Sequence, residues 1–125
     1  NCYFKEDLDN IDNSLKSKID LLLEKVKSGN NHRTVLDGNL KAGELLFING
    51  SNLSISFCKI AFDTYLIIGV HSINEGFNLD INRYHLNKKY IEELKELMKN
   101  DDDRNKMVLD GNLVIETSVT RKKVK

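Results

Sequence analysis

The sequence predicts an α+β fold: a mainly antiparallel sheet of about five to seven strands in hairpins, with a long N-terminal helix and a second helix packed on one face. Three observations carry this. Leu8, Ile11, Leu15, Ile19, Leu22 and Val26 recur every three or four residues, the spacing of one face of a helix. Short apolar runs then alternate with Asp37-Gly38, Asn49-Gly50 and Asp110-Gly111, pairs favoured in hairpin turns because they tolerate positive φ. A second helical pattern, Leu86, Tyr90, Leu94, Leu97 and Met98 with Ile91 beside them, interrupts the strand-like runs.

Taken in order, the first helix carries Glu6, Asp7, Asp9 and Asp12 at its start and Lys25 and Lys27 at its end. Both placements suit the helix dipole. Ser28-Gly29-Asn30-Asn31 supplies the stop, with Gly29 free to turn left-handed. Tyr3 and Phe4 precede it as an apolar staple or docked arm.

Residues 33–82 read as strands. In Leu53–Phe57 the apolar Leu53, Ile55 and Phe57 alternate with Ser54 and Ser56, which predicts one buried and one wet face. Tyr65–Val70 does not alternate and reads as a central strand covered on both faces. Phe77, Leu79 and Ile81 alternate with Asn78, Asp80 and Asn82 and suggest one more short strand after an irregular loop. Asn87 is the expected N-cap of the second helix, and Glu92 with Lys95 and Glu96 with Lys99 are spaced for ion pairs on its exposed side. Met107 and Leu109, then Leu113 and Ile115, make a terminal hairpin. The six-residue string Val-Leu-Asp-Gly-Asn-Leu occurs at 35–40 and again at 108–113. The flanking residues differ, so it reads as one turn used twice; a structural repeat would extend over a whole unit.

A chain of 125 residues fits a single domain, 1–125, with a basic tail at 120–125. It begins without methionine, which suggests an excised or processed piece. The composition, rich in Asn, Lys, Ile and Asp and without proline, resembles the bias of AT-rich genomes. Nineteen basic and nineteen acidic residues cancel. A nucleic-acid partner is therefore not favoured, since such binders usually carry a basic excess. No apolar run approaches the length of a membrane span. The expected compartment is aqueous, either cytoplasmic or reached by secretion after processing. Cys2 and Cys58 give no geometry for a disulfide, and Cys58 reads as a small buried hydrophobe.

No phosphate-binding glycine loop, nucleophile elbow or zinc signature is present. No metal or other cofactor is expected. Asn78, Asp80 and Asn82 alternate oxygen ligands but miss the calcium-loop pattern, and Asp101-Asp102-Asp103 reads as a solvated helix exit. The expected function is non-enzymatic: an interaction domain, of immunity, inhibitor or surface-module type, that binds a protein partner or a small ligand. Phe77, Arg83, Tyr84 and His85 are its candidate contacts, being types enriched at interfaces. Exposed edge strands would also allow a homodimer. The alternative is a metal-independent ribonuclease or toxin domain. Its candidates are His32, His71 and His85 as acid and base, with Arg33, Thr34 and Arg83 about the phosphate. A third reading is a structural domain of a larger surface or virion protein.

Overall fold

A computed structural model describes residues 3–29, 31–61, 64–72, 77–99, 106–109 and 112–115, the last two segments as backbone alone. The fold is α+β. In chain order it runs α1 (Tyr3–Asp9), α2 (Asn13–Ser28), β1 (Arg33–Thr34), β2 (Leu46–Asn49), β3 (Leu53–Ala61), β4 (Thr64–Ser72), α3 (Phe77–Leu86), α4 (Lys88–Met98), β5 (Lys106–Leu109) and β6 (Asn112–Ile115).

Strands β1 to β4 form an antiparallel meander in sequence order. After two helices the chain returns to lay β5 parallel to β4, and β6 pairs antiparallel with β5. This corrects the expectation of a mainly antiparallel sheet of about five to seven strands in hairpins. The antiparallel run is four strands, and β5 arrives by a helical crossover. Parallel strands require such a connection, because a tight turn can join only antiparallel neighbours.

The expected long N-terminal helix is two helices. The break lies at Asn10–Asp12, where the Asp12 side chain accepts from the Ser14 amide at 3.2 Å and caps α2. Asp and Asn compete with the helix by bonding nearby amides, so this stretch starts a helix more readily than it continues one. Ile11 still turns inward and is buried. At the far end of α2, Gly29 adopts φ 78° and donates to Val26 O.

The helices do not share one face of the sheet. Ile19, Leu22 and Val26 of α2 pack with Ile48, Leu53, Ile55, Phe57, Tyr65, Ile67 and Val70. Tyr84, Ile91 and Met98 of α3 and α4 pack on the opposite face with Cys58, Ile60, Leu66 and Ile68. The sheet is therefore sandwiched, and β3 has no wet face: Ser54 and Ser56 are both 1% exposed. Burial of β4 runs unbroken from Thr64 to Val70.

Residues 77–84 form helix, not strand. Phe77, Ile81 and Tyr84 turn inward at helical spacing, while Leu79 is 46% exposed. The period-two alternation there coexists with a period near 3.6, and tertiary packing selects the helix. On α4 the inward stripe is Ile91, Leu94 and Met98, whereas Tyr90 and Leu97, and Leu86 at the end of α3, all expected on the core face, are exposed. Asn87 makes no side-chain cap bond; its amide instead donates to Arg83 O and to the Tyr3 hydroxyl. Tyr3 and Phe4 are themselves helical residues of α1.

The two copies of the repeated string differ in use. In the second, Leu109 and Asn112 pair across β5 and β6, while Asp110 and Gly111 lie outside the described residues. The first lies in a wider excursion from Val35 to Leu45, whose ends meet through the Val35 amide and Leu45 O at 2.8 Å. Within it Asp37 accepts from the Asn39 amide. The basic tail, Cys2, the acidic run at 101–103, and Glu75 and Gly76 lie outside the described residues.

Candidate functional site

Two constellations stand out, one inside the molecule and one on its surface. The inner one is built where β4 loses its neighbour. Strand β5 pairs with Thr64–Ile67 only, and α1 covers the rest of that edge. The Val70 amide donates to Asp7 Oδ2 at 2.9 Å. A bulge between Phe57 and Ser56 leaves Ile68 outside the β3 register, and Ile68 O accepts from Arg83 Nη1 at 3.1 Å. Arg83 grips Asp7 with both terminal nitrogens, at 2.8 and 3.0 Å, and its guanidinium lies 4.4 Å over the Tyr3 ring. Asp80, one turn earlier on α3, accepts from Ser56 Oγ at 2.6 Å and from His71 Nε2 at 2.8 Å.

Charge explains the arrangement. Two carboxylates face one guanidinium, and the His71 imidazole closes on Asp80. Burial works against the imidazolium, but the Asp80 hydrogen bond and the charges of Asp80 and Asp7 outweigh it, and the His71 pKa is raised. Gly69 is the residue that makes room: a Cβ there would run into the Asp80 carboxylate and His71 Nε2.

The chemistry open to this cluster is narrow. Asp7, His71 and Asp80 place one ligand atom each within 4.8 Å of one another, a set that suits a divalent cation. Arg83 already fills the cationic position against Asp7. Ser56 bonds to the carboxylate rather than to the imidazole, so it lacks the base contact that activates a serine nucleophile. Asp80 is 0% exposed and Ser56 1%, which leaves substrate no route to them. The cluster is an ionic lock between α1, β4 and α3.

The outer constellation lies where α2 meets the β2–β3 turn. Lys18, Leu21, Leu22, Glu24 and Lys25 face Gly50, Ser51 and Leu53 across a groove of about 500 Å³. Leu21 stands at its lip, 69% exposed. The turn is tight, with Gly50 N–H donating to Leu53 O and Asn52 at φ 65°. A smaller polar recess of about 320 Å³, lined by Lys25, Asn31, His32, Arg33, Ile48 and Asn49, adjoins the groove through Lys25.

The candidate residues separate between these places. His32 donates from Nε2 to Val26 O, since a carbonyl only accepts, and packs edge-on against Phe57 and Tyr65 on the α2 face. His71 is tied to Asp80 on the α3 face. His85 is exposed beside the Tyr84 ring. The three imidazoles thus have different partners, and His32 and His71 lie on opposite faces of the sheet. Arg33 joins His32 in the polar recess, Thr34 pairs with Leu46, and Arg83 joins His71 in the lock. The four expected contacts all lie on α3: Arg83 and Tyr84 are buried, Phe77 leans on Phe47 with ring centres 4.8 Å apart, and His85 alone of the four is exposed.

Sequence reasoning missed Asp7, Asp80 and Ser56. A signal existed for the first two. Asp7 falls between Phe4 and Ile11 on the apolar face of its helical pattern, and Asp80 between Phe77 and Tyr84. A charge at a core position implies a buried partner.

No protein-family model, curated protein or solved structure matches this chain. The fold and the two constellations therefore define its class: an α+β domain with a buried ionic lock and an apolar surface groove. No helix among the described residues is long and apolar enough to cross a membrane.

Proposed function

We propose that the chain is a non-enzymatic binding module whose ligand lies in the groove between α2 and the β2–β3 turn. The observation that carries this reading is the groove itself: about 500 Å³, walled by Leu21, Leu22 and Leu53. That volume is in the range of small-ligand sites, which are concave, mostly apolar and edged by a few polar groups. The ribonuclease alternative draws no comparable support, because His32 lies across the sheet from His71 and the three imidazoles have different partners. A homodimer through the meander edge would have the two residues of β1 to pair with, a short template for strand addition.

The test uses a neutral apolar fluorophore, N-phenyl-1-naphthylamine. Its emission should rise on titration with the native protein and fall back with Leu21→Asp. Leu21 is exposed, so the change leaves the core intact. An absence of enhancement, or enhancement unaltered by Leu21→Asp, would remove the groove as the binding surface.

A further inference from the structure

We infer that the protein binds an internal water molecule between Asn49 and Ser54, on the face of the sheet that carries α3. The strand register brings the two side chains together. Asn49 of β2 pairs with Ser54 of β3, and Ser54 pairs in turn with His71 of β4. Residues opposite one another on antiparallel strands share a face, with Cβ atoms about 5 Å apart. Ile48, Leu53, Ile55 and Val70 belong to the α2 side. Their alternating neighbours Asn49, Ser54 and His71 therefore form a polar row on the α3 side.

Two atoms of this row are unmet. Asn49 Oδ1 and Ser54 Oγ are both buried, and neither has a hydrogen-bond partner. Folded proteins seldom leave such groups unpaired. The next row shows the contrast, since Ser56 gives its hydroxyl to Asp80 at 2.6 Å. Both Asp80 oxygens are thereby engaged, one by Ser56 and the other by His71 at 2.8 Å. That pairing also fixes the charge of the occupant. The ionisable member of the row is closed on its own partner, so the gap between Asn49 and Ser54 calls for a neutral guest. The guest must further suit either orientation of the Asn49 amide, which can turn end for end in the same space. Water meets both conditions: it donates to a carbonyl oxygen, accepts from an N–H and does either with a hydroxyl, the usual work of a buried water.

The position gives this water a role that does not depend on what the groove binds. Asn49 and Ser54 are the last pair of the β2–β3 register, and just beyond them the Gly50 amide donates to Leu53 O at 2.8 Å. Gly50 and Ser51 of that turn form one wall of the groove. The water bridges the base of the turn from the opposite face of the sheet and holds the wall in place.

The test is a crystal structure of the full chain at a resolution that shows ordered water, with amide hydrogen exchange of the native and Ser54→Ala chains beside it. A density peak should lie within roughly 2.6–3.2 Å of both Ser54 Oγ and the Asn49 amide group. Ser54→Ala should speed exchange of the Gly50 amide at least about tenfold and leave the Val26 amide of α2 unchanged, because the opening is local. Absence of a peak between the two side chains, or side chains turned to bond each other directly, overturns the site. A peak accompanied by unaltered Gly50 exchange, or by equal acceleration at Gly50 and Val26, overturns its role at the turn.

Discussion

At the scale of single residues, the ionic lock makes its own predictions. Asp7 and Arg83 are 5% and 6% exposed, so replacing one leaves the other charge buried with less compensation. Asp7→Asn should cost about 3 kcal/mol in urea unfolding, the lower end for a broken buried pair, because Arg83 keeps Ile68 O at 3.1 Å. Asp7→Leu combined with Arg83→Met should recover part of that loss, since removing both charges removes the desolvation penalty. His71 adds a pH dependence of known sign. Its pKa is raised in the folded state, so its contribution is full below the unfolded value of about 6.5 and is lost as pH rises through the folded value. The stability difference between the native chain and His71→Gln should therefore be largest in mild acid and shrink in base; a gap that widens with pH would contradict the Asp80 contact. Burial pushes the Cys58 thiol up to about 12, so it should resist a thiol reagent until the protein unfolds.

At the scale of elements, packing decided what local pattern left open. The stripe of α2 was legible because Ile19, Leu22 and Val26 face a core and Gly29 ends the helix. The strand reading of 77–84 failed because the same residues satisfy two periods, and only the sheet face above them chooses between them. The wet face expected of β3 failed for a related reason: Ser54 and Ser56 look solvent-facing by type, but α3 brings Asp80 onto Ser56. The lock itself was half visible. His71 and Arg83 stand out in the sequence as reactive types, whereas their acidic partners read as helix-end and loop acids. Partners 63 and 76 residues apart leave no mark in a local window. Gly69 lies under this cluster, with no room for a Cβ beside Asp80 and His71. Gly69→Ala should displace Asp80 and His71 together. Thermal unfolding should show a loss well beyond the usual few tenths of a kcal/mol for a tolerated strand substitution, and His71→Gln in the same background should add little, because the contact is already gone.

At the scale of the whole molecule, the sheet is a partition. One side carries α2 and the groove, the other carries α3 and α4, and α1 closes the edge of β4 that β5 leaves open. The α+β class and the turn at Asn49–Asn52 were readable from composition and spacing. The parallel return of β5 was not, since a crossover is a property of the complete chain. Asp7 is the stitch in this arrangement, and it has a kinetic meaning. Its bonds to Val70 and Arg83 close loops spanning most of the chain, whereas the β3–β4 pairing closes a short one. Loop closure of that length comes late, after local pairs have formed. The Asp7 contacts should then be absent at the folding barrier. Asp7→Asn should leave the refolding rate nearly unchanged and raise the unfolding rate by on the order of a hundredfold, carrying nearly all of its destabilisation. On that account α1 acts as a latch on the escape route: it sets how long the folded chain lasts rather than how fast it forms.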